Sequence, residues 1–154
     1  MHEIDLKQFV EAGDGIHVIR GSQDIRGWNG IRYAAGLSAK NVPAQHLSMN
    51  LARIPPGGVA YSHIHVGFEV MLYILEGTVR HEYGDLLQKS VVNTAGDFIY
   101  IEPGVPHEVF NVSDTEPVLA VVSRSDATEW AHIVEYDRVT GRVGEVLERR
   151  QDRA

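Results

Sequence analysis

From His46 to Ile54 the chain reads HLSMNLARI, with Leu47, Met49 and Leu51 alternating against Ser48, Asn50 and Ala52. A period of two sends successive side chains to opposite faces, so the stretch predicts a half-buried strand with Leu47, Met49 and Leu51 turned inward. Pro55-Pro56-Gly57-Gly58 ends it. The runs VAYSHIHV, VMLYILEG, TVRHEY, SVVNTAGDFIYI, HEVFNV and PVLAVVSR are each rich in Val, Ile, Tyr or Phe and read as further strands. Turn formers separate them at Glu76-Gly77, Tyr83-Gly84-Asp85, Ala95-Gly96-Asp97, Glu102-Pro103-Gly104 and Ser113-Asp114-Thr115. Many short strands with no alternating helical pattern predict an all-β, antiparallel sandwich or closed barrel. VLAVV, from Val118 to Val122, is apolar on both faces, which fits a strand buried in the barrel or at an interface. DATEWAHIVEYD, from Asp126 to Asp137, fits a short helix or an added strand, and the tail RVGEVLERRQDRA predicts a frayed helix or a mobile end.

Composition narrows the partners. A chain of 154 residues, 44% hydrophobic and 23% charged, suits one globular domain with an ordinary core. The net charge of −7, with no basic stretch interleaved with aromatics, argues against nucleic acid and against an anionic membrane surface. With no cysteine there is no disulfide, thiolate site or cysteine nucleophile, so any metal must be held by nitrogen and oxygen. No apolar run approaches the ~20 residues of a membrane span, and MHEIDLKQFVEAGDG lacks the regions of a secretion signal. A cytoplasmic location is expected. The Asn111-Val112-Ser113 sequon is then a chance match.

Candidate chemistry lies in two segments. His63 and His65 are two residues apart, so on a strand their imidazoles share a face and form half a metal site. Downstream, GDFIYIEPGVPH joins an apolar strand to a rigid Pro-Gly-Val-Pro turn that aims His107. Tyr61 is in phase with His63 and His65, and Val109 with His107; together with Met49 they form the expected wall of a substrate pocket. Glu108 is expected to face away from its neighbour His107, and His81 and Glu82 read as solvated hairpin residues.

These segments resemble the two motifs of the cupin superfamily, in the manner of its small single-domain bacterial members. Gly57, His63-Ile64-His65, Glu69 and Gly77 match the first motif; Gly96, Pro103-Gly104, His107 and Asn111 match the second, with Glu102 where a proline is usual. The resemblance implies an antiparallel double-stranded β-helix, or jelly-roll barrel, with short extra elements at both termini. The whole of 1–154 is then one domain, with a barrel core at approximately 46–124, N-terminal strands in 1–45 and a C-terminal extension in 125–154. It further implies that His63, His65, Glu69 and His107 hold one divalent transition metal ion per chain: Fe(II), Mn(II), Ni(II), Co(II) or Zn(II). The implied partners are a small-molecule substrate and a second copy of the chain, as a homodimer. The implied activity is that of a metal-dependent dioxygenase acting on a compact oxygenated or aromatic substrate. A metal-dependent isomerase or lyase, or a noncatalytic small-molecule-binding cupin, are the alternatives.

Spacing bears on the glutamate. Seven residues lie between Glu69 and Gly77, one more than the motif usually has, so counting back from Gly77 puts Val70 at the ligand position. A one-residue slip turns a strand side chain to the opposite face. A bulge around Val66 to Phe68, where Gly67 permits unusual backbone angles, would return Glu69 to the histidines. A regular strand would leave a three-histidine site with Glu69 at its rim.

Overall fold

The computed structural model describes residues 10–20 and 25–147. A hairpin of β1 (Val10–Gly13) and β2 (Ile16–Ile19) precedes two six-stranded sheets. The first sheet runs β10 (Phe98–Ile101), β7 (Val70–Glu76), β12 (Val118–Arg124), β5 (Ser48–Ile54), β4 (Ile31–Leu37) and β3 (Ile25–Trp28). The second runs β14 (Val143–Val146), β13 (Ile133–Tyr136), β6 (Val59–His65), β11 (His107–Asn111), β8 (Thr78–Tyr83) and β9 (Lys89–Thr94). All pairings are antiparallel. From β5 to β8 the chain crosses between sheets at every strand, which rolls the two layers into the expected jelly-roll barrel. No helix among the described residues is long and apolar enough to cross a membrane.

The inner faces meet in one core that includes Ile74, Val118, Trp130 and Ile133, each no more than 2% exposed. Burial of such side chains is the main favourable term holding the layers together, about 1.5–3 kcal/mol for each. β12 lies between β7 and β5; it buries Val118, Ala120 and Val122 while Leu119 and Val121 are half-buried on the other face. Both faces of VLAVV are thus apolar for different reasons. In the segment Asp126 to Asp137 the added strand is realised, as β13 against β6. Part of the tail expected to be helical is also a strand, β14, paired with β13. Residues 148–154, and residues 1–9 and 21–24 of the expected N-terminal strands, lie outside the described residues.

One strand has the opposite phase from that expected. β5 turns Ser48, Ala52 and Ile54 inward, whereas Leu47 is 63% and Met49 51% exposed. The cross-strand partners give the reason. Met49 stands in a row with Ser123, Met71 and Tyr100, and Leu51 in a row with Val121, Tyr73 and Phe98, all on the outward face of the first sheet. Inside, small residues such as Ala52 and Ala120 border a cavity that larger side chains would fill.

β7 passes to β8 through Gly77, whose φ of 89° is left-handed and whose added Cβ would lie 2.6 Å from the Pro117 carbonyl oxygen. Gly77→Ala is expected to cost about 1–3 kcal/mol, read as a lower urea midpoint with an unchanged slope. Gly67→Ala, at φ 77° but with no atom within 4 Å of the new Cβ, is expected to cost less.

Candidate metal centre

Two strand periodicities assemble three imidazoles. His63 and His65 are alternate residues of β6, and His107 opens β11 directly opposite His63. Their potential ligand atoms all lie within 4.8 Å of one another, and all three residues are buried. Ring centroids are 4.3 Å apart for His63 and His107, 4.6 Å for His65 and His107, and 5.0 Å for His63 and His65. The rigid turn before His107 is tied to the paired histidines, because the Gly104 amide donates to the His65 carbonyl at 2.8 Å.

Backbone carbonyls fix two of the rings. His63 Nδ1 lies 2.7 Å from the Tyr61 oxygen and His107 Nδ1 2.9 Å from the Val105 oxygen. A carbonyl can only accept, so the proton of each neutral ring sits on Nδ1 and Nε2 is left with a bare lone pair. His65 Nδ1 is buried with no hydrogen-bond partner. Burial pushes the His63 pKa down to about 4, with the nearby Arg124 charge adding to the shift. It depresses His65 and His107 as well, each lowered further by neighbouring imidazoles. Neutral rings with converging lone pairs and an orphaned buried nitrogen fit a divalent cation.

Glu69 stands outside this cluster. The turn at Gly67, φ 77°, redirects the chain, but alternation then resumes: Phe68 and Val70 are 3% and 2% exposed, and Glu69 between them is exposed. Its Oε1 accepts the Tyr100 hydroxyl at 2.7 Å on the outer face. Val70 occupies the inward position, as the count from Gly77 gives. Of the four expected ligands, the structure brings together His63, His65 and His107 and leaves Glu69 outside.

Tyr61 also departs from expectation. Pairing of β11 with β6 goes from His107–His63 to Val109–Ala60, so Tyr61 and Ser62 together oppose Glu108. This bulge reverses the phase: Ala60 faces the cavity and Tyr61 is 39% exposed on the outer face. There it borders a cleft of about 780 Å³ with Glu108 and Arg138, which shares no lining residue with the histidine cavity. The bulge also brings the Tyr61 carbonyl to His63. Met49 is excluded by the phase of β5, while Val109 lines the histidine cavity. Glu108 faces away from His107 and pairs with Arg138 at 2.6 Å, as does Glu82.

The interior cavity has a volume of about 80 Å³ and adjoins a cleft of about 390 Å³, sharing His81, Ile101 and His107 with it. Two of its residues escaped the sequence reading. His81 is 5% exposed, its pKa pushed down to about 4 by burial, and its Nδ1 has no partner. Arg124 lines the cavity in phase with Val118, Ala120 and Val122. A cation at the in-facing end of an apolar alternation was the available signal.

The cupin domain family matches residues 50–123. Among solved structures, oxalate oxidase in complex with the substrate analogue glycolate is 28% identical, with a TM-score of 0.58, over 69% of this chain and 55% of its own. Oxalate decarboxylase from Bacillus subtilis is 20% identical, with a TM-score of 0.60, over 68% of this chain and 28% of its own. The Schizosaccharomyces pombe Cnp3 cupin domain is 11% identical, with a TM-score of 0.59, over 73% of this chain and 78% of its own. The last two likenesses concern the fold alone. The chain thus spans about half the length of the oxalate oxidase it matches. No curated protein matches the sequence.

Two outcomes are expected. His65→Ala and His107→Ala lose stoichiometric metal after dialysis, whereas Glu69→Gln retains it, measured by elemental analysis of folded protein. For the apoprotein, a folded-state His63 pKa of about 4 lies below the ~6.5 of the unfolded chain, so protons bind preferentially to the unfolded state. Stability is therefore full above pH ~6.5 and falls toward pH ~4, by about 1.4 kcal/mol per pH unit for each imidazole that stays neutral. Equal urea midpoints at pH 7.5 and pH 5 would contradict burial of neutral rings.

Proposed function

The chain carries a cupin domain over residues 50–123, and from that premise we propose that it is a metal-dependent enzyme of small molecules, an oxidoreductase of the dioxygenase type. The observation that carries this reading is a buried set of three neutral imidazoles with no protein carboxylate among them. Three nitrogen donors on one side of a six-coordinate ion leave positions open for substrate oxygens and a second reactant. Fe(II), Mn(II), Ni(II), Co(II) and Zn(II) all suit such donors. When bound, the ion supplies Lewis acidity and, where redox-active, electron exchange with O2.

The chain's own residues do the rest. The Tyr61 and Val105 carbonyls hold two ligand rings in one orientation. Val70, Leu72, Val109 and Val122 wall the cavity and exclude bulk water. His81 offers a neutral base at its unpartnered Nδ1. A volume of about 80 Å³ favours a compact oxygenated substrate over an aromatic one. The similarity to oxalate oxidase, at 28% identity, supports an oxidase or oxygenase over other metal chemistry.

We further infer a homodimer. The rows Tyr100–Met71–Ser123–Met49 and Phe98–Tyr73–Val121–Leu51 form a contiguous outward face in which Phe98 is 83% and Met71 60% exposed. A continuous apolar face of this kind suits a second copy.

Protein purified from metal-replete, chelator-free medium is expected to carry close to one transition metal ion per chain and to consume O2 with a compact oxygenated substrate, and His107→Ala to do neither. Absence of metal from the folded wild type would reject the enzyme reading. Met71→Glu is expected to shift the sedimentation coefficient from dimer to monomer while leaving the metal content unchanged.

A further inference from the structure

Among the described residues, the histidine cavity is lined by one full positive charge and by no carboxylate. Arg124 is 4% exposed and ends the inward face of β12 beside Val70. One guanidinium nitrogen, Nη1, donates to Asn50 Oδ1. The Tyr33 hydroxyl is a second partner, and the Tyr33 ring lies 5.9 Å from the guanidinium carbon. Nε is buried with no partner. Glu129 and Asp126, which do not line the cavity, act on the guanidinium through space while also holding other groups, Asp126 with His132 and Thr128 and Glu129 with Lys40 and Ser38. No aspartate or glutamate lines the cavity.

An arginine stays charged at any pH at which the protein is folded, and a buried cation without a counter-ion is strongly unfavourable. Asn50 and Tyr33 are neutral, so they orient the guanidinium without compensating its charge. Exclusion of Glu69 from the histidine cluster deepens the deficit, since a divalent cation there would add two further positive charges. Glu129 and Asp126 offset part of that charge, and an anionic ligand in the cavity would offset more of it and fill the unpartnered Nε. The planar guanidinium fork matches a carboxylate, whose two oxygens lie in one plane, better than a tetrahedral anion. At ~10–15 Å³ per water-sized group, the cavity takes about half a dozen such groups, which restricts the ligand to a small acid.

We propose that Arg124, held by Asn50 and Tyr33, is the anion-binding residue of the cavity, and that the substrate is a compact carboxylate bound through its anionic end to the free side of the guanidinium. A further oxygen of the same molecule then faces His63, His65 and His107; this second contact alone rests on the enzyme reading above.

Acetate and its neutral isostere acetamide are suitable probes, titrated into the metal-free 154-residue chain in chloride-free buffer and followed by saturation-transfer NMR of the methyl group. Wild-type protein is expected to bind acetate at least about tenfold more tightly than acetamide. Arg124→Gln is expected to abolish that preference, and Arg124→Lys to keep part of it, with metal stoichiometry unchanged in both. Equal binding of the two probes by the wild type, or a preference that survives Arg124→Gln, would overturn the proposal; so would inorganic phosphate displacing acetate at lower concentration than acetate itself binds. The wild-type comparison decides even where Arg124→Gln does not fold. Metal without acetate preference rejects this inference and spares the enzyme reading; acetate preference without metal does the reverse.

Discussion

Between β6 and β11, His107 faces His63 at one rung of the ladder and Val109 faces Ala60 at the next, with Tyr61 and Ser62 crowded opposite Glu108. That single extra residue governs the site. It lets His63 and Ala60, three apart in sequence, both point inward, and it curves the Tyr61 carbonyl under the His63 ring. The bulge is itself satisfied, with the Ser62 amide donating to Glu108 Oε2 at 3.2 Å and the Tyr61 amide to the Asn29 oxygen at 3.1 Å. Remove the bulge, and either His63 or Ala60 must leave the interior. Rigid placement of the three imidazoles is thus a property of backbone pairing more than of side-chain packing.

The barrel and its histidines were legible from short-range signals. His63 and His65 obey the strand period, and Pro103, Gly104 and Pro106 mark the turn that delivers His107. The count to Gly77 was enough to put Val70 in the ligand position, and the turn at Gly67 did not undo it. Phase failed in two places for two reasons: alternation does not tell which face is inside, and it does not survive a bulge. In β5 the apolar set Leu47, Met49 and Leu51 points outward because the neighbouring strands continue the same apolar rows. For Tyr61 the period was interrupted by a bulge that only the pairing with β11 reveals. His81 was hidden differently, since polar residues are usually solvated and nothing local shows that its ring is buried, while Arg124 had only its place at the end of an apolar alternation to mark it.

Charge is distributed unevenly between surface and interior. The chain carries a net −7, yet among the described residues the cavity is lined by four histidines held neutral by burial and one arginine, with no carboxylate. Acidic residues near the site are turned outward or paired, as Glu108 is with Arg138 and Glu129 with Lys40. A pocket of this kind leaves its imidazoles free of protons, the state in which they can act as ligands.

The two sheets divide their labour unequally, and β12 serves both roles. Histidines come from β6, β8 and β11 of one sheet, while the outward apolar rows belong to β5, β7, β10 and β12 of the other. For anyone re-engineering the protein, the separation is incomplete, because β5, β7 and β10 also reach the cavity through Ala52, Val70 and Ile101. β12 is the sharpest case. Ser123 on its outer face and Arg124 on its inner face are adjacent in the chain, so a change to either face of that strand is inherited by the other within one peptide bond.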